Sequence, residues 1–297
     1  MRKRIMGGTG EAVSVIGFGA WPIGGGMGGV AEREAIGAIH AAIEGGITLI
    51  DSAQMYRSSE SVIGKALDHG RRERVFLATK VSGDYSRAAI RSAVEQSLKN
   101  LRTDRIDLYQ IHSWNDRYPI EESMEEMQQL KTEGKVRYLG VSNFTADQMK
   151  RALKTARFES SQPRYNVLDR EIEEDSVDFC REHHIGILAH SVLAKGLLTG
   201  KYEQDYTFPP EDERSSMARF HGDAYRDIIE RVDGLKLIAQ ELNITVVQLA
   251  IAWVLRLPEV TCALVGAKSG KQVEQQLAGA EIELESGILD RIDVLFK

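Results

Sequence analysis

The sequence predicts an α/β fold: a single (β/α)8 TIM barrel with an N-terminal β-hairpin and extra C-terminal helices. Three observations carry this. Short apolar runs rich in β-branched residues alternate with longer amphipathic stretches, the pattern of βαβ units and a parallel sheet. The runs number eight: Val15–Gly19, Ile47–Ile50, Val75–Thr79, Ile106–Ile111, Val136–Val141, a weak one at Glu159–Pro163, Ile185–Ala189 and Val260–Val265. The chain has 297 residues and six prolines, with no Pro/Gly/Ser linker. A prior of roughly 100–200 residues per domain gives two domains, but one barrel of ~250 residues plus additions also fits, so residues 1–297 are read as one domain.

Taken in order, residues 1–14 read as a β-hairpin turning at Gly7-Gly8-Thr9-Gly10. The stretches between strands have helical spacing. Ala35, Ile36, Ile39, Ala42 and Ile43 fall on one face, as do Ala89, Ile90, Ala93, Val94, Ser97, Leu98 and Leu101, and then Met124, Met127 and Leu130. Residues 200–222, with Pro209-Pro210 and many charges, form a polar loop outside the minimal barrel; loops that long are functional or disordered. Val246–Leu255 is a helix with Trp253 in the core, and Leu284–Phe296 is an extra helix. The glycines of Gly24-Gly25-Gly26-Met27-Gly28-Gly29 form a flexible loop. They are not a dinucleotide fingerprint, because no Gly-x-Gly-x-x-Gly opens a helix after a strand.

Hydrophobic residues make up 42% and charged residues 28% of the chain, an ordinary globular composition. The 38 basic and 44 acidic side chains leave a net charge of −6, which argues against a nucleic-acid or anionic-membrane partner. The most apolar stretch, Leu249–Val265, is broken by Arg256, Pro258 and Glu259, short of the ~20 residues a membrane span needs. Two distant cysteines, Cys180 and Cys262, and a start without a secretory pattern read as a cytoplasmic protein with reduced thiols. No cluster has metal-ligand spacing; His183-His184 reads as a solvated helix end. Nothing in the sequence sets the oligomeric state.

The functional signal is at the strand ends. The eight runs end in Gly19-Ala20-Trp21, Asp51, Lys80, His112, Ser142-Asn143, Gln162, His190-Ser191 and Gly266-Ala267-Lys268. A parallel barrel gathers all these ends on the face that carries the active site. Tyr56 follows Asp51 by five residues. A phenol with a pKa of about 10 is a poor acid at neutrality. A nearby ammonium stabilises the phenolate and is expected to lower that value, with Asp51 holding Lys80 charged and in place. His112 completes a set suited to proton transfer at a carbonyl oxygen. Such a set supplies no electrons, so hydride must come from a cofactor.

These residues carry a resemblance. Asp51-Ser52-Ala53-Gln54-Met55-Tyr56 resembles the Asp-Thr-Ala-x-x-Tyr motif of the aldo-keto reductases. Thr79-Lys80-Val81, Gln110-Ile111-His112, Gly140-Val141-Ser142-Asn143-Phe144, Gln162-Pro163-Arg164-Tyr165-Asn166 and Gly196-Leu197-Leu198-Thr199-Gly200-Lys201-Tyr202 are similar to further family motifs, in order, across essentially the whole chain. Within the family the chain most resembles the bacterial general-stress and inositol-operon reductases, which are also similar to potassium-channel β subunits.

The resemblance implies a catalytic tetrad of Asp51, Tyr56, Lys80 and His112, with Tyr56 as proton donor in reducing an aldehyde or ketone. It implies nicotinamide contacts at Ser142, Asn143 and Gln162 and at the main chain of Gly19, Ala20 and Trp21. Ser191, Leu193, Lys195 and Gly196 match the segment over the pyrophosphate, and Arg214 resembles a phosphate clamp. The adenosine end maps onto Gly266, Lys268, Ser269, Gln272, Gln275 and Gln276. Lys268, Lys271 and Arg214 could meet a 2′-phosphate, which favours NADPH over NADH. Three features depart from the family pattern, the first being Gln275-Gln276 where that pattern ends in Glu-Asn or Asp-Asn. His190 stands where an aromatic residue usually stacks under the nicotinamide, and Val192 replaces a common proline. Trp21, Met55, Trp114 and residues 22–30 are the expected walls of a substrate pocket. Two other readings fit the same residues: a cofactor-free isomerase or lyase using Lys80 as a Schiff base, and a slow redox-sensing NADP(H)-binding subunit.

Overall fold

Eight parallel strands close on themselves in chain order, and the polar strand ends all lie on one rim. The computed structural model describes residues 1–25 and 27–296; Gly26, within the segment read as a flexible loop, lies outside the described residues. Strands β1 (Lys3–Ile5) and β2 (Ala12–Ser14) pair antiparallel as the expected hairpin. The barrel strands are β3 (Ile16–Gly19), β4 (Leu49–Asp51), β5 (Phe76–Val81), β6 (Ile106–Ile111), β7 (Val136–Ser142), β8 (Ser160–Gln162), β9 (Gly186–Ala189) and β10 (Val260–Val265), and β10 closes on β3. Each predicted run overlaps one strand. The second is displaced, because Ile47-Thr48 only leads in to the ladder, with Thr48 and Ser14 exchanging hydrogen bonds of 2.8 and 2.9 Å. The third runs on to Val81 and so takes Lys80 into the strand.

The helices are α1 (Glu32–Glu44), α2 (Ser59–Ala66), α3 (Arg87–Leu101), α4 (Ile120–Thr132), α5 (Ala146–Leu153), α6 (Ser176–Glu182), α7 (Gly222–Glu241), α8 (Val246–Leu255), α9 (Gly270–Leu277) and α10 (Ser286–Phe296). Their apolar stripes face the strands; α3 buries Ile90, Ala93, Val94, Ser97 and Leu101, the spacing read from the sequence. Capping boxes open α5 (Thr145 with Gln148) and α8 (Thr245 with Gln248), each satisfying two orphan backbone donors. No single helix among the described residues is long and apolar enough to cross a membrane.

Side chains alternate along each strand, so every second residue points into the barrel. The lower interior is a small apolar cluster of Leu49, Phe76, Ala78, Leu108, Leu188, Cys262 and Leu264. The hairpin closes this end by adding Met6 and Val13. Below them Asp107 accepts from Arg72 at 2.8 Å, Arg137 at 2.9 Å and the Leu77 amide at 2.9 Å. One step higher on the same inward register the interior turns polar, with Asp51, Lys80, Gln110 and Gln162 all buried.

Residues 200–222 are more ordered than a polar loop. Tyr202, Phe208, Phe220 and Tyr225 gather into an aromatic cluster with ring separations of 5.0 to 6.2 Å, and short turns at Glu213–Ser216 and Ala218–Phe220 lead into α7. Their spacing follows no helix or strand period, which is why the sequence pattern hides this core.

The packing of α2 on α3 depends on Gly64, where an added Cβ would lie 2.4 Å from the Asn100 carbonyl oxygen. Gly37, in the exposed face of α1, has open space around it. The same substitution is therefore expected to act in opposite directions. Gly64→Ala should lower the urea midpoint, a loss of about 1–3 kcal/mol from overpacking, while Gly37→Ala should raise it, by about 0.5–1 kcal/mol of helix propensity. Equal effects of the two in urea unfolding would refute this account of the α2–α3 contact.

Candidate active site

The polar layer at the upper end of the barrel centres on an ion pair. Lys80 has no exposed surface, and its ammonium donates to Asp51 Oδ2 at 2.6 Å and to the Ser52 carbonyl at 2.8 Å. The other carboxylate oxygen of Asp51 accepts from Gln162 Nε2 at 2.9 Å and Gln110 Nε2 at 3.1 Å, and Gln162 Nε2 also reaches Gln110 Oε1 at 3.2 Å. Strands β4, β5, β6 and β8 thus each supply one side chain. Burial alone pushes the Lys80 ammonium down; Asp51 and Tyr56 more than reverse it, and its pKa is raised. A lysine held protonated lacks the free lone pair that a Schiff-base nucleophile needs.

Tyr56 sits on the turn after β4, its ring 5.1 Å from Lys80 Nζ. It is boxed in edge-to-face by Trp21 at 4.8 Å and His112 at 5.6 Å. The turn Trp21–Gly24 presses on it so closely that a Cβ at Gly24 would lie 2.2 Å from the Tyr56 carbonyl oxygen. The phenol pKa is raised, which corrects the expectation of a lowered one: burial pushes it up and Asp51 adds to this, while the Lys80 charge pulls down without prevailing. Sequence spacing gives the ammonium but not the depth of burial.

His112 Nδ1 lies 2.8 Å from Ser82 Oγ, leaving Nε2 for the cleft that His112 lines. Burial first, and the Lys80 charge second, lower its pKa to about 3, so the ring is neutral at physiological pH. His190 is lowered to about 3 in the same way, by burial and then by Lys80 and Arg164. Its Nε2 is 2.8 Å from Asn143 Oδ1 and its Nδ1 is 3.0 Å from Ser191 Oγ. Asn143 in turn donates from Nδ2 to the His112 carbonyl and to Ser142 Oγ, both at 3.0 Å, and Ser142 Oγ donates to the Gln162 carbonyl at 2.8 Å.

A cleft of about 560 Å³ runs across this rim. One part is lined by Gly19, Ala20, Trp21, Asp51, Met55, Tyr56, His112, Gln162 and His190. It continues past Ser191, Leu193, Lys195, Gly196 and Arg214 to Gly266, Lys268, Gln272, Gln275 and Gln276. Of the remaining sequence-predicted residues, Lys80 and Ser142 are buried and support this lining through hydrogen bonds, while Asn143 is exposed beside His112 and His190. Ser269 caps α9 by accepting from the Gln272 amide at 3.4 Å. Trp114 lies outside the lining: it packs edge-on against Phe144 at 5.2 Å with the Arg151 guanidinium over its face at 5.5 Å.

The lining carries five cationic side chains, Arg164, Lys195, Lys201, Arg214 and Lys268, against one acidic one, Asp51. Arg214 is gripped by Asp212 at 2.8 and 2.6 Å and donates to the Tyr202 hydroxyl at 2.7 Å inside the aromatic cluster. Lys268 donates to the carbonyls of Met27 and Gly28, pinning the glycine-rich loop over the cleft. Burial, then the Arg214 charge, lower its pKa.

Three contributors escaped the sequence reading as site residues. Gln110 belongs to a recognised motif, but only its inward amide shows that it holds Asp51. Ser82 follows Lys80 by two residues at the same strand end. Glu213 had no signal, lying in irregular chain; its Oε1 accepts from Trp21 Nε1 at 2.9 Å and from Lys195 Nζ at 2.5 Å, tying the 200–222 segment to the opposite wall.

The two histidines make a stability prediction. Unfolded, each titrates near 6.5; folded, near 3. Between these values the unfolded chain binds more protons, so stability rises with pH across the window and is lost as pH falls from about 6.5 towards 3. The slope of urea midpoint against pH over that range is expected to flatten in the double variant His112→Gln, His190→Gln. An unchanged slope would show that neither ring is held neutral by the fold.

Comparison with known proteins is consistent across sequence and structure. The sequence profile of the Aldo/keto reductase family matches residues 15–296. Aldo-keto reductase YhdN of Bacillus subtilis (strain 168) is 40% identical over 280 residues, covering 90% of this chain and 85% of that protein. The NADH-specific methylglyoxal reductase of Escherichia coli (strain K12) is 31% identical over 312 residues, covering 96% and 95%. The glycerol dehydrogenase AKR11B4 from Gluconobacter oxydans superposes with a TM-score of 0.89 at 34% identity, over 99% of this chain and 94% of that one. An aldo/keto reductase from Klebsiella pneumoniae, solved with NADP and acetate, superposes with a TM-score of 0.81 at 32% identity, over 100% and 96%. With the barrel, its polar rim and these similarities together, the chain belongs to the aldo/keto reductase family, whose chemistry is NAD(P)-dependent carbonyl reduction.

Proposed function

We propose that this protein reduces an aldehyde or ketone to the alcohol with NADPH, and that Tyr56 is the proton donor. The observation that carries the reading is the buried Asp51–Lys80 pair beneath a protonated Tyr56, with the neutral ring of His112 edge-on to the phenol. The cleft fits a dinucleotide in charge, with five cations and one acid along its lining in a chain of net charge −6. Asn143, Ser142, Gln162, His190 and the Gly19-Ala20-Trp21 backbone would hold the nicotinamide end. Ser191, Leu193, Lys195, Gly196 and Arg214 would hold the phosphates. Gly266, Lys268, Ser269, Gln272, Gln275 and Gln276 would hold the adenosine end.

A reduced nicotinamide bound there supplies the hydride that the protein lacks. The residues do the rest. Tyr56 keeps its proton until the carbonyl oxygen gains negative charge, then gives it up to form the hydroxyl. The Lys80 ammonium, anchored by Asp51, stabilises the phenolate left behind, and solvent restores its proton. His112, neutral and with Nδ1 occupied by Ser82, can donate from Nε2 to the same oxygen and orient it. Trp21 and Met55 are the walls against which the rest of the substrate would lie.

The preference for NADPH rests on Lys268, Lys271 and Arg214 as partners for a 2′-phosphate. Two of the four named relatives bear on it in opposite senses, one being NADH-specific and one holding NADP.

Three measurements test this reading. Tyr56→Phe is expected to cut NADPH-dependent reduction of a reactive aromatic aldehyde by roughly 10²–10⁴-fold, with NADPH affinity kept; full activity in this variant would remove Tyr56 from the mechanism. The raised phenol pKa keeps the active, protonated form present at high pH. Reductive kcat should therefore hold on the alkaline side through the ordinary tyrosine range, and a fall well below it would contradict the burial argument. Lys268→Ala should weaken NADPH binding by roughly 10–100-fold while leaving NADH unchanged; equal loss for both would dissociate Lys268 from the 2′-phosphate.

A further inference from the structure

Burial divides the sulfur atoms of this chain sharply. Both cysteines are buried, and burial pushes their thiols up, Cys180 to about 12 and Cys262 well above its ordinary value. At neutral pH neither is the thiolate that reacts with peroxides. Of the eight methionines, Met6, Met124, Met127 and Met149 have no exposed surface, and Met27 and Met217 are partly buried. Met1 (38% exposed) and Met55 (56%) remain. Met1 lies beside the hairpin at the closed lower end, its amino group 3.3 Å from Glu281. Met55 is the most exposed sulfur-bearing side chain, and it lines the catalytic cleft.

Its position gives that exposure a consequence. Met55 immediately precedes Tyr56 on the turn after β4. The turn is fixed by hydrogen bonds from the Tyr56 amide to the Ala53 carbonyl at 2.9 Å and from the Ser59 amide to the Tyr56 carbonyl at 3.0 Å. Of the large apolar side chains that are exposed, Met55 alone lines the cleft among the described residues. A thioether is oxidised through a sulfur lone pair, so it needs access to the oxidant and no deprotonation. The sulfoxide that results replaces a flexible apolar side chain with a polar one bearing a strong acceptor oxygen. In this cleft the change falls on the apolar wall beside Tyr56. The other methionine of the lining, Met27, is shielded by its partial burial in the glycine-rich loop.

We propose that Met55 is a site of oxidative modification, at which a hydroperoxide converts the thioether to the sulfoxide and turns the substrate wall from apolar to polar. The sulfur lone pair attacks one peroxide oxygen; an S–O bond forms and the O–O bond breaks. Sulfur loses two electrons and the peroxide gains them. The leaving oxygen takes up the proton of the transferred one and departs as water or, from an organic peroxide, as an alcohol. The hydrogen bonds of the turn are untouched, so Tyr56, Lys80 and His112 keep their places while the apolar part of the substrate loses a contact. The effect on turnover rests on the reading of Met55 as a substrate wall in the proposed function; the modification itself does not.

The protein is treated with graded hydrogen peroxide, quenched with catalase, and divided between peptide mass mapping and NADPH-dependent reduction of an aromatic aldehyde. Met55 is expected to gain one oxygen ahead of Met27, Met217 and the four buried methionines, with both cysteines unmodified at the same dose. KM for the aldehyde should rise roughly 5-fold or more, with kcat kept within about 2-fold and NADPH affinity unchanged. Methionine sulfoxide reductases A and B together should return KM to its starting value. Two variants are each compared with their own untreated KM: Met55→Leu should show no change at that dose, and Met27→Leu should respond as wild type does. A map in which buried methionines or the cysteines react before Met55 overturns the site. Full conversion of Met55 with KM unchanged, or an equal rise in treated Met55→Leu, overturns its action on the substrate wall. An untreated wild type that turns over no aldehyde overturns the proposed function instead, and the peptide map still decides whether Met55 is the residue modified.

Discussion

The rim is organised by one buried ion pair. Asp51 and Lys80 sit buried at adjacent strand ends, where Lys80 donates to Asp51 and the Ser52 carbonyl, and Asp51 accepts from Lys80 and two glutamine amides. Removing one partner of such a pair costs about 3–5 kcal/mol, because the other charge is left buried and alone. That constraint propagates outward. Gln110 and Gln162 must turn their amides inward, which leaves Gln162 Oε1 facing the cleft. Lys80 must approach the Tyr56 ring, and its positive charge helps keep His112 and His190 neutral. Much of the site's chemistry follows from satisfying a single lysine in a dry place.

The barrel below serves this layer. Its apolar lower interior and the hairpin that closes it hold eight strand ends in register, so side chains from residues 51 to 190 meet within hydrogen-bonding distance. The ion pairs around Asp107 brace the opposite end. The division matches the general separation of stability and function between the two faces of this architecture.

The sequence pattern reveals as much as periodicity can carry. Eight runs became eight strands because a buried parallel strand is short, apolar and bounded by polar residues. Asp51, Lys80 and His112 could be read as site candidates because each ends such a run. Depth is not periodic, and so the direction of the Tyr56 shift was missed: the ammonium can be read from Lys80, whereas the desolvation comes from Trp21, His112 and the Gly24 turn closing over the ring. Glu213 was missed because it works from irregular chain, across 192 residues of sequence from Trp21. Residues 200–222 looked polar because Tyr202, Phe208 and Phe220 are spaced without a period among many charges. The His190 network could be seen only once Asn143 was known to face a carbonyl.

The uneven charge of the cleft also bears on how ligands arrive. The molecule as a whole repels anions, yet the groove gathers Arg164, Lys195, Lys201, Arg214 and Lys268 along one path, and among the described residues Lys201 has no acidic partner. A groove with low-dielectric walls focuses such a field, and at ~0.15 M ionic strength it reaches only about 8 Å into solvent. Under the proposed function, a multiply charged nucleotide would be captured by a short-range funnel whose pull fades as salt rises. A neutral carbonyl compound feels no such pull and reaches the same rim by unassisted diffusion. The two proposed ligands of the cleft would thus obey different encounter laws, with ionic strength the variable that separates them.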